Sequence, residues 1–185
     1  MPVYGEDAVA PTSPIANHVV ISEVYGGGGN TGSVYRYDFI ELYNPTAADV
    51  DISGWKIYTN SAKTAFTTTP AFIVPDGKKI SAGSFFLIQA VKGAGGTTEL
   101  PAPDAVSTIA LGATGFKVKL NDKTDALIDV VSAGLDATES ETAPAPAPSN
   151  TTSVQRFDND QQKTGATGGW DTNNNSLDFY TAAAT

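Results

Sequence analysis

Short stretches of alternating apolar and polar residues recur along the chain, separated by Gly, Pro, Asn and Asp. Residues 116–120 ("FKVKL") alternate with a period of two, as a strand with one buried face does. A turn at 121–124 leads into the apolar stretch 126–132, so the two segments predict a β-hairpin. The pattern predicts further strands at 18–25, 36–43, 50–52, 54–59, 71–74, 83–90 and 152–157.

No stretch of useful length has the 3.6-residue period of an amphipathic helix. We therefore predict an all-β domain, a β-sandwich of about seven to nine short strands with long loops. Its expected bounds are 18–180, with a linker or loosely held segment at 1–17 and a C-terminal tail at 181–185. The alternating Ala and Pro residues of 139–150 predict an extended, solvated loop.

The composition fits one soluble acidic domain. Of the 185 residues, 41% are hydrophobic and 17% are charged, and 20 Asp and Glu against 11 Lys and Arg give a net charge of −9. A duplex-binding surface needs a basic stripe, so this charge argues against direct nucleic-acid binding. The chain has no Cys and no apolar stretch near the roughly 20 residues that cross a bilayer. Its first residues lack the pattern of a secretion signal.

Four consecutive glycines follow the first predicted strand, in the stretch "ISEVYGGGGNTGSVY" at 21–35. A phosphate-binding loop requires a helix after its glycines, and the Walker pattern also requires a Lys. Here a β pattern follows and the Lys is missing. We therefore predict a mobile hairpin loop that has no apolar anchor and can be shortened.

Few residues offer catalytic chemistry. His18 is the one histidine, and without Cys or a Gly-x-Ser-x-Gly motif it argues against a nucleophile–base pair. Glu23 and Glu41 lie on strands expected to be neighbours, and two carboxylates can support glycoside hydrolysis. The alternative is structural: Arg156 points inward and forms a buried ion pair with Glu23 or Glu41.

Two tryptophans raise the possibility of sugar stacking. Trp55 opens a predicted strand and is expected in the core, because large aromatic side chains are mostly buried. Trp170 follows two glycines in a loop. It is the better candidate for an exposed contact, with a lid over one end of the sandwich as the alternative.

The polar block "DTNNNSLD" at 171–178 offers a candidate calcium site. Asp171, Asn173 and Asn175 have the alternating spacing of a calcium loop, and Asp178 adds a carboxylate. An EF-hand would need Gly at 176 and Glu at 182, where the chain has Ser and Ala, so any binding would be weak, about 10⁻⁴–10⁻³ M. The alternative is a loop whose Asn and Asp side chains cap its own backbone.

Several of these blocks together resemble a lamin-tail domain of the bacterial secreted type. They are "VVISEVYGGGGNTGSVYRYDFIELYNPTAADVDISGWKIY" (19–58), "FFLIQA" (85–90), "ALIDVVSAG" (126–134), "APAPAPSNTTSVQRF" (143–157) and "DTNNNSLDF" (171–179). The resemblance covers about residues 18–180 and implies an immunoglobulin-like sandwich.

The resemblance also sets the functional expectations. It implies a non-catalytic accessory module of a secreted or cell-surface bacterial protein, which binds or tethers a protein or cell-envelope component. It brings no catalytic residues and no cofactor with it; calcium is the one candidate ion. Two alternatives stay open: a small hydrolase or calcium-dependent module that uses Glu23 and Glu41 or the 171–178 loop, and nucleic-acid binding by analogy with lamins.

Overall fold

A computed structural model of the protein describes residues 14–158 and 169–185. In these residues the chain is almost entirely β, as predicted. In chain order the elements are β1 Val20–Tyr25, β2 Tyr37–Tyr43, β3 Val50–Asp51, β4 Lys56–Ser61, β5 Phe72–Ile73, β6 Lys79–Ile80, β7 Phe85–Lys92, β8 Ala105–Val106, β9 Phe116–Asn121, β10 Leu127–Ala133, β11 Thr152–Arg156, α1 Asn175–Asp178 and β12 Phe179–Ala183. Eight of the strands have five residues or more, and β3, β5, β6 and β8 have two.

Two sheets enclose the core. The larger sheet has the order β12-β11-β1-β2-β7-β8, the smaller has β10-β9-β4-β5, and β3 pairs with β6 separately. All pairings are antiparallel except that of β7 with β8. Inward side chains of both sheets form one apolar cluster, which includes Ile21, Ile40, Ile88, Ile57, Val118 and Val131. The architecture is the immunoglobulin-like β-sandwich that the sequence predicted.

The predicted hairpin is present as β9 and β10, with Phe116, Val118 and Leu120 in the core. Lys117 lies on the opposite face of β9 but does not reach solvent, because its side chain is fully buried. Its ammonium group pairs with Glu139 and lies 4.8 Å from the centre of the Phe66 ring. The alternating pattern therefore predicted correctly that the Lys117 side chain points away from the core. Its burial was not predictable from the pattern, because it depends on a loop that covers this face of the sheet.

The glycine loop is packed, and the prediction of a mobile loop was wrong. Gly26, Gly27, Gly28 and Gly29 are all buried. A Cβ atom on Gly28 would lie 1.9 Å from the backbone carbonyl carbon of Tyr37. The Gly28 amide donates to Asp38 Oδ1 at 2.9 Å, so the loop is anchored by backbone contacts that need glycine, not by an apolar side chain.

The side chain of Asn150 forms two hydrogen bonds with the end of the glycine loop. Its side-chain amide donates to the Thr31 carbonyl at 3.1 Å, and its Oδ1 accepts from Asn30 Nδ2 at 3.0 Å. The backbone carbonyl of Asn150 accepts from the Tyr25 hydroxyl. The loop is thus joined to the chain segment just before β11.

The structure also changes two expectations, one about the Ala-Pro stretch and one about the C-terminal tail. The Ala-Pro stretch is not wholly solvated, since Ala145 is 2% exposed and bridges Ala133 at the edge of β10. Strand β12 continues to Ala183, so the predicted tail at 181–185 begins inside a strand. Of the predicted linker, residues 1–13 lie outside the described residues, and Ile15 bridges Trp170.

Candidate functional site

Arg156 links the two sheets from inside the sandwich. Its Nη2 lies 2.7 Å from Asp129 Oδ2, and both side chains are fully buried. Its Nε donates to the Ile21 carbonyl at 2.8 Å and its Nη1 to the Trp170 carbonyl at 3.0 Å. The guanidinium stacks 4.3 Å from the centre of the Phe179 ring. The donor groups of Arg156 therefore face both carboxylate and carbonyl oxygens.

The acceptor of Arg156 differs from the one predicted. Glu23 is the cross-strand partner of Gln155, so its side chain lies on the outer face of the sheet, whereas Arg156 points inward. Glu41 is in turn the cross-strand partner of Glu23 on that outer face. Strand parity places Asp129 on the same face as the core residue Val131, but it does not show which strand of the opposite sheet lies near it.

The 171–178 block brings two of its four predicted calcium ligands together. Carboxylate oxygens of Asp171 and Asp178 lie within 4.8 Å of each other and of a Glu141 carboxylate oxygen. Sequence reasoning missed Glu141, which lies 30 residues or more upstream in the "TESET" stretch. Burial raises the pKa of Glu141 to about 8, and the negative charge of Asp129 adds to this.

Local hydrogen bonds account for much of the same block. Asp178 accepts the Thr172 hydroxyl at 2.6 Å and the Asn174 amide at 3.0 Å. Asp171 Oδ1 accepts the Asn173 amide at 3.1 Å and lies 3.5 Å from Arg156 Nη1. The block thus holds its own backbone, as the alternative to a calcium site predicted.

Asn175 completes the free edge of β10. Its Oδ1 accepts from the Ser132 amide and its Nδ2 donates to the Val130 carbonyl, both at 2.9 Å. The side-chain amide thus imitates a neighbouring strand, and its oxygen is already occupied. Asn173 is exposed. Asn175 Nδ2 also donates to Glu141 Oε2 at 3.0 Å, so Asn175 contacts one member of the carboxylate group formed by Glu141, Asp171 and Asp178.

Glu23 and Glu41 lie side by side on the outer face of the larger sheet, as cross-strand partners on β1 and β2. Glu23 accepts hydrogen bonds from Ser153 Oγ at 2.6 Å, from Thr185 Oγ1 at 2.7 Å and from Gln155 Nε2 at 3.3 Å. Glu41 Oε1 accepts from Ser22 Oγ at 2.8 Å. The two carboxylates are therefore neighbours, but only Glu23 is enclosed by donors.

This carboxylate pair has no counterion among the described residues. Neither residue takes part in a salt bridge with any residue of 14–158 or 169–185. Burial raises the pKa of Glu23. Burial also raises the pKa of Glu41 to about 7, and the adjacent charge of Glu23 acts in the same direction. Partial desolvation of two like charges is costly unless one is protonated or a cation is supplied.

Apolar side chains flank Glu41 on the same face. Leu87 is its cross-strand partner on β7, and Phe85 stacks on Tyr43 with ring centres 4.6 Å apart. Phe85 is 37% exposed and Val106, the neighbour of Gln89, is 62% exposed. We call this surface the Glu41 face; it consists of Glu41, Tyr43, Phe85, Leu87, Gln89 and Val106.

The remaining candidates take structural positions. His18 Nε2 lies 3.6 Å from Asp171 Oδ2, so its neighbour is a carboxylate and not a nucleophile. Trp55 is 8% exposed in the core, as expected. Trp170 is half-buried and its backbone carbonyl accepts from Arg156, which fits the lid better than an exposed contact. In the described part of the chain no helix is long and apolar enough to span a membrane.

Comparison with known proteins agrees with this architecture. No curated protein matches the chain. The family model described as the Lamin Tail Domain matches residues 12–134, which is more than half of the chain and includes β1 to β10. Domains of this family are immunoglobulin-like, non-catalytic interaction modules. The chain belongs to the lamin tail domain family.

Proposed function

We propose that this domain is a non-catalytic binding or tethering module of a secreted or cell-surface bacterial protein. Its partner would be a protein or a component of the cell envelope. The observation that carries the proposal is the membership of the lamin tail domain family, whose domains mediate interactions. The position outside the cell follows from the resemblance to the bacterial secreted type and is part of the proposal.

The geometry of the carboxylates supports binding over hydrolysis. Arg156 and Asp129 hold the two sheets together, and Asp178 is held by its own loop. Glu23 is enclosed by hydroxyl and amide donors, as a structural carboxylate is. A glycosidase would need one carboxyl group free to donate a proton and one free to attack or to activate water.

Binding to envelopes tests the proposal directly. We expect saturable retention of the fluorescently labelled domain on intact bacterial cells or isolated envelopes, and no turnover in a general hydrolase screen. Turnover that disappears in Glu41→Gln would contradict the non-catalytic assignment. Retention on DNA at about 150 mM salt would favour the nucleic-acid alternative instead.

Calcium binding is a second proposal, favoured by the three carboxylates of Glu141, Asp171 and Asp178. Millimolar calcium should raise the melting temperature of the domain and leave that of Glu141→Gln unchanged, because the variant loses one charged ligand. Equal melting temperatures of the parent domain with and without calcium would contradict the proposal.

A further inference from the structure

We infer that the Glu41 face binds an extended segment of a protein partner in which a lysine or arginine is flanked by apolar residues. This inference rests on the proposed binding function and names the partner's chemistry. It is carried by Glu41, which has no salt-bridge partner among the described residues, by the exposed apolar side chains on the same face, and by the acidic balance of the whole domain.

Glu41 is the open member of its carboxylate pair. Four hydrogen bonds reach the two carboxylate oxygens of Glu23, from Ser153, Gln155 and Thr185. Glu41 receives one, on Oε1 from Ser22, and its Oε2 has no hydrogen-bond partner among the described residues. A cationic side chain at Oε2 would supply the counterion that the pair lacks.

The apolar part of the face extends to both sides of that carboxylate. Along β7, Phe85, Leu87 and Gln89 point to the same side, with Leu87 beside Glu41. Phe85 lies at one end and Val106 beside Gln89 at the other. Alternate residues of an extended chain are about 7 Å apart. A segment of the pattern apolar–cation–apolar at alternate positions therefore matches the face in both spacing and chemistry.

The charge of the domain favours the same partner. With a net charge of −9, the surface attracts cationic segments and repels anionic ones. The raised pKa of Glu41 supports the geometry, because a bound cation favours the ionised carboxylate and should release its proton. Binding should therefore be stronger at pH 8 than at pH 6.

The test uses a peptide probe of this pattern, acetyl-Leu-Ser-Lys-Ser-Leu-amide carrying a fluorophore, and measures its fluorescence anisotropy on titration with the domain at pH 8. The same peptide with Gln in place of Lys is the matched ligand control. We expect Glu41→Gln to weaken binding of the Lys peptide about tenfold or more, since it removes the charge and preserves the shape. Asp76→Asn, at an exposed acid in another loop, should leave the affinity unchanged.

Equal affinity of the parent domain and Glu41→Gln, or of the Lys and Gln peptides, would overturn the inference. An equal loss in Asp76→Asn would overturn it as well, because it would show attraction by bulk charge only. Phe85→Ser provides a second variant on the same face and should weaken binding about fivefold. If envelopes retain Glu41→Gln as well as the parent domain, this face is not the site, although the binding module itself stands.

Discussion

At the scale of single residues, Arg156 joins the two sheets through a buried ion pair. It pairs with Asp129 at 2.7 Å where neither side chain reaches solvent. Arg156→Ala should lower the free energy of unfolding by about 3–5 kcal/mol, because it leaves the buried carboxylate of Asp129 without its cationic partner. Arg156→Lys should recover part of this loss, since an ammonium restores the charge but not the planar array of donors. Urea denaturation followed by circular dichroism measures both.

The exposed pair of Lys63 and Asp136 provides the control. Its atoms are 3.1 Å apart, but both side chains are more than half exposed. Lys63→Ala should therefore change the free energy of unfolding by less than about 1 kcal/mol. A similarly small change in Arg156→Ala would show that the buried pair is not what stabilises the contact between the sheets.

Sequence reasoning could find Arg156 but not its partner, and the reason is geometric. The period of a strand shows which side chains share a face, so an inward position for Arg156 was predictable. The choice of carboxylate depends on which strands of opposite sheets approach each other. That approach is a tertiary contact between β10 and β11, for which the local pattern around Asp129 carries no distance information.

At the scale of elements, two backbone groups on the edge of β10 depend on the side chain of Asn175. Asn175 supplies an acceptor to Ser132 and a donor to Val130, both at 2.9 Å. Asn175→Ala should cost about 2 kcal/mol, because two buried backbone groups lose their partners. Hydrogen exchange at the Ser132 amide should accelerate more than at the amides of β9. Asn173→Ala, in the exposed part of the same loop, is the control, and equal exchange at Ser132 in the two variants would contradict the role of Asn175.

Two glycine-to-alanine variants test whether the glycine loop is packed. Gly28→Ala should cost about 3 kcal/mol or more, since its Cβ would meet the Tyr37 carbonyl carbon at 1.9 Å and the backbone must move. Gly77→Ala tests the opposite situation: φ is +77° but nothing lies within 4 Å, so only about 1 kcal/mol of backbone strain is expected. Melting temperatures that rank the two variants in reverse would show that the loop is not packed as described.

Seven of the eight longer strands were predicted from their apolar residues, whereas β12 was missed and its last residues were assigned to the C-terminal tail. Two residues define no period, so the shortest strands were predicted poorly. Strands β6 and β8 were missed, and the predicted bounds of β3 and β5 were too wide. The burial of the glycines was missed because a glycine-rich sequence permits both a mobile loop and a tight backbone crossing. Only the positions of Tyr37 and Asn150 distinguish the two.

At the scale of the whole molecule, stability should depend on pH through buried carboxyl groups with raised pKa values, which include Asp38 at about 6, Glu41 at about 7 and Glu141 at about 8. Their ordinary values are 3.8, 4.5 and 4.5, so between about pH 4.5 and 8 the folded state holds more protons than the unfolded state. The melting temperature should therefore fall as the pH rises from 5 to 8. Below about pH 4 it should fall as well, because exposed acids with lowered pKa values, such as Asp49, lose their charge.

Glu41→Gln should flatten part of this dependence. The variant cannot ionise, so at pH 8 its free energy of unfolding should exceed that of the parent by about 1–2 kcal/mol after allowance for partial exposure. Near pH 4.5 the two proteins should differ little. Calorimetry across this pH range checks both, and parallel curves for the two proteins would contradict the assignment of Glu41 as a titrating group.

The pairing of β1 with β11 affects the rate at which this domain folds. Glu23 and Gln155 meet across a sequence separation of 132 residues. During synthesis, β1 therefore emerges with an unpaired edge that waits until residue 156 has left the ribosome. Contacts so far apart in sequence slow folding, so we expect refolding in milliseconds to seconds and the risk of aggregation to be greatest while that edge is open.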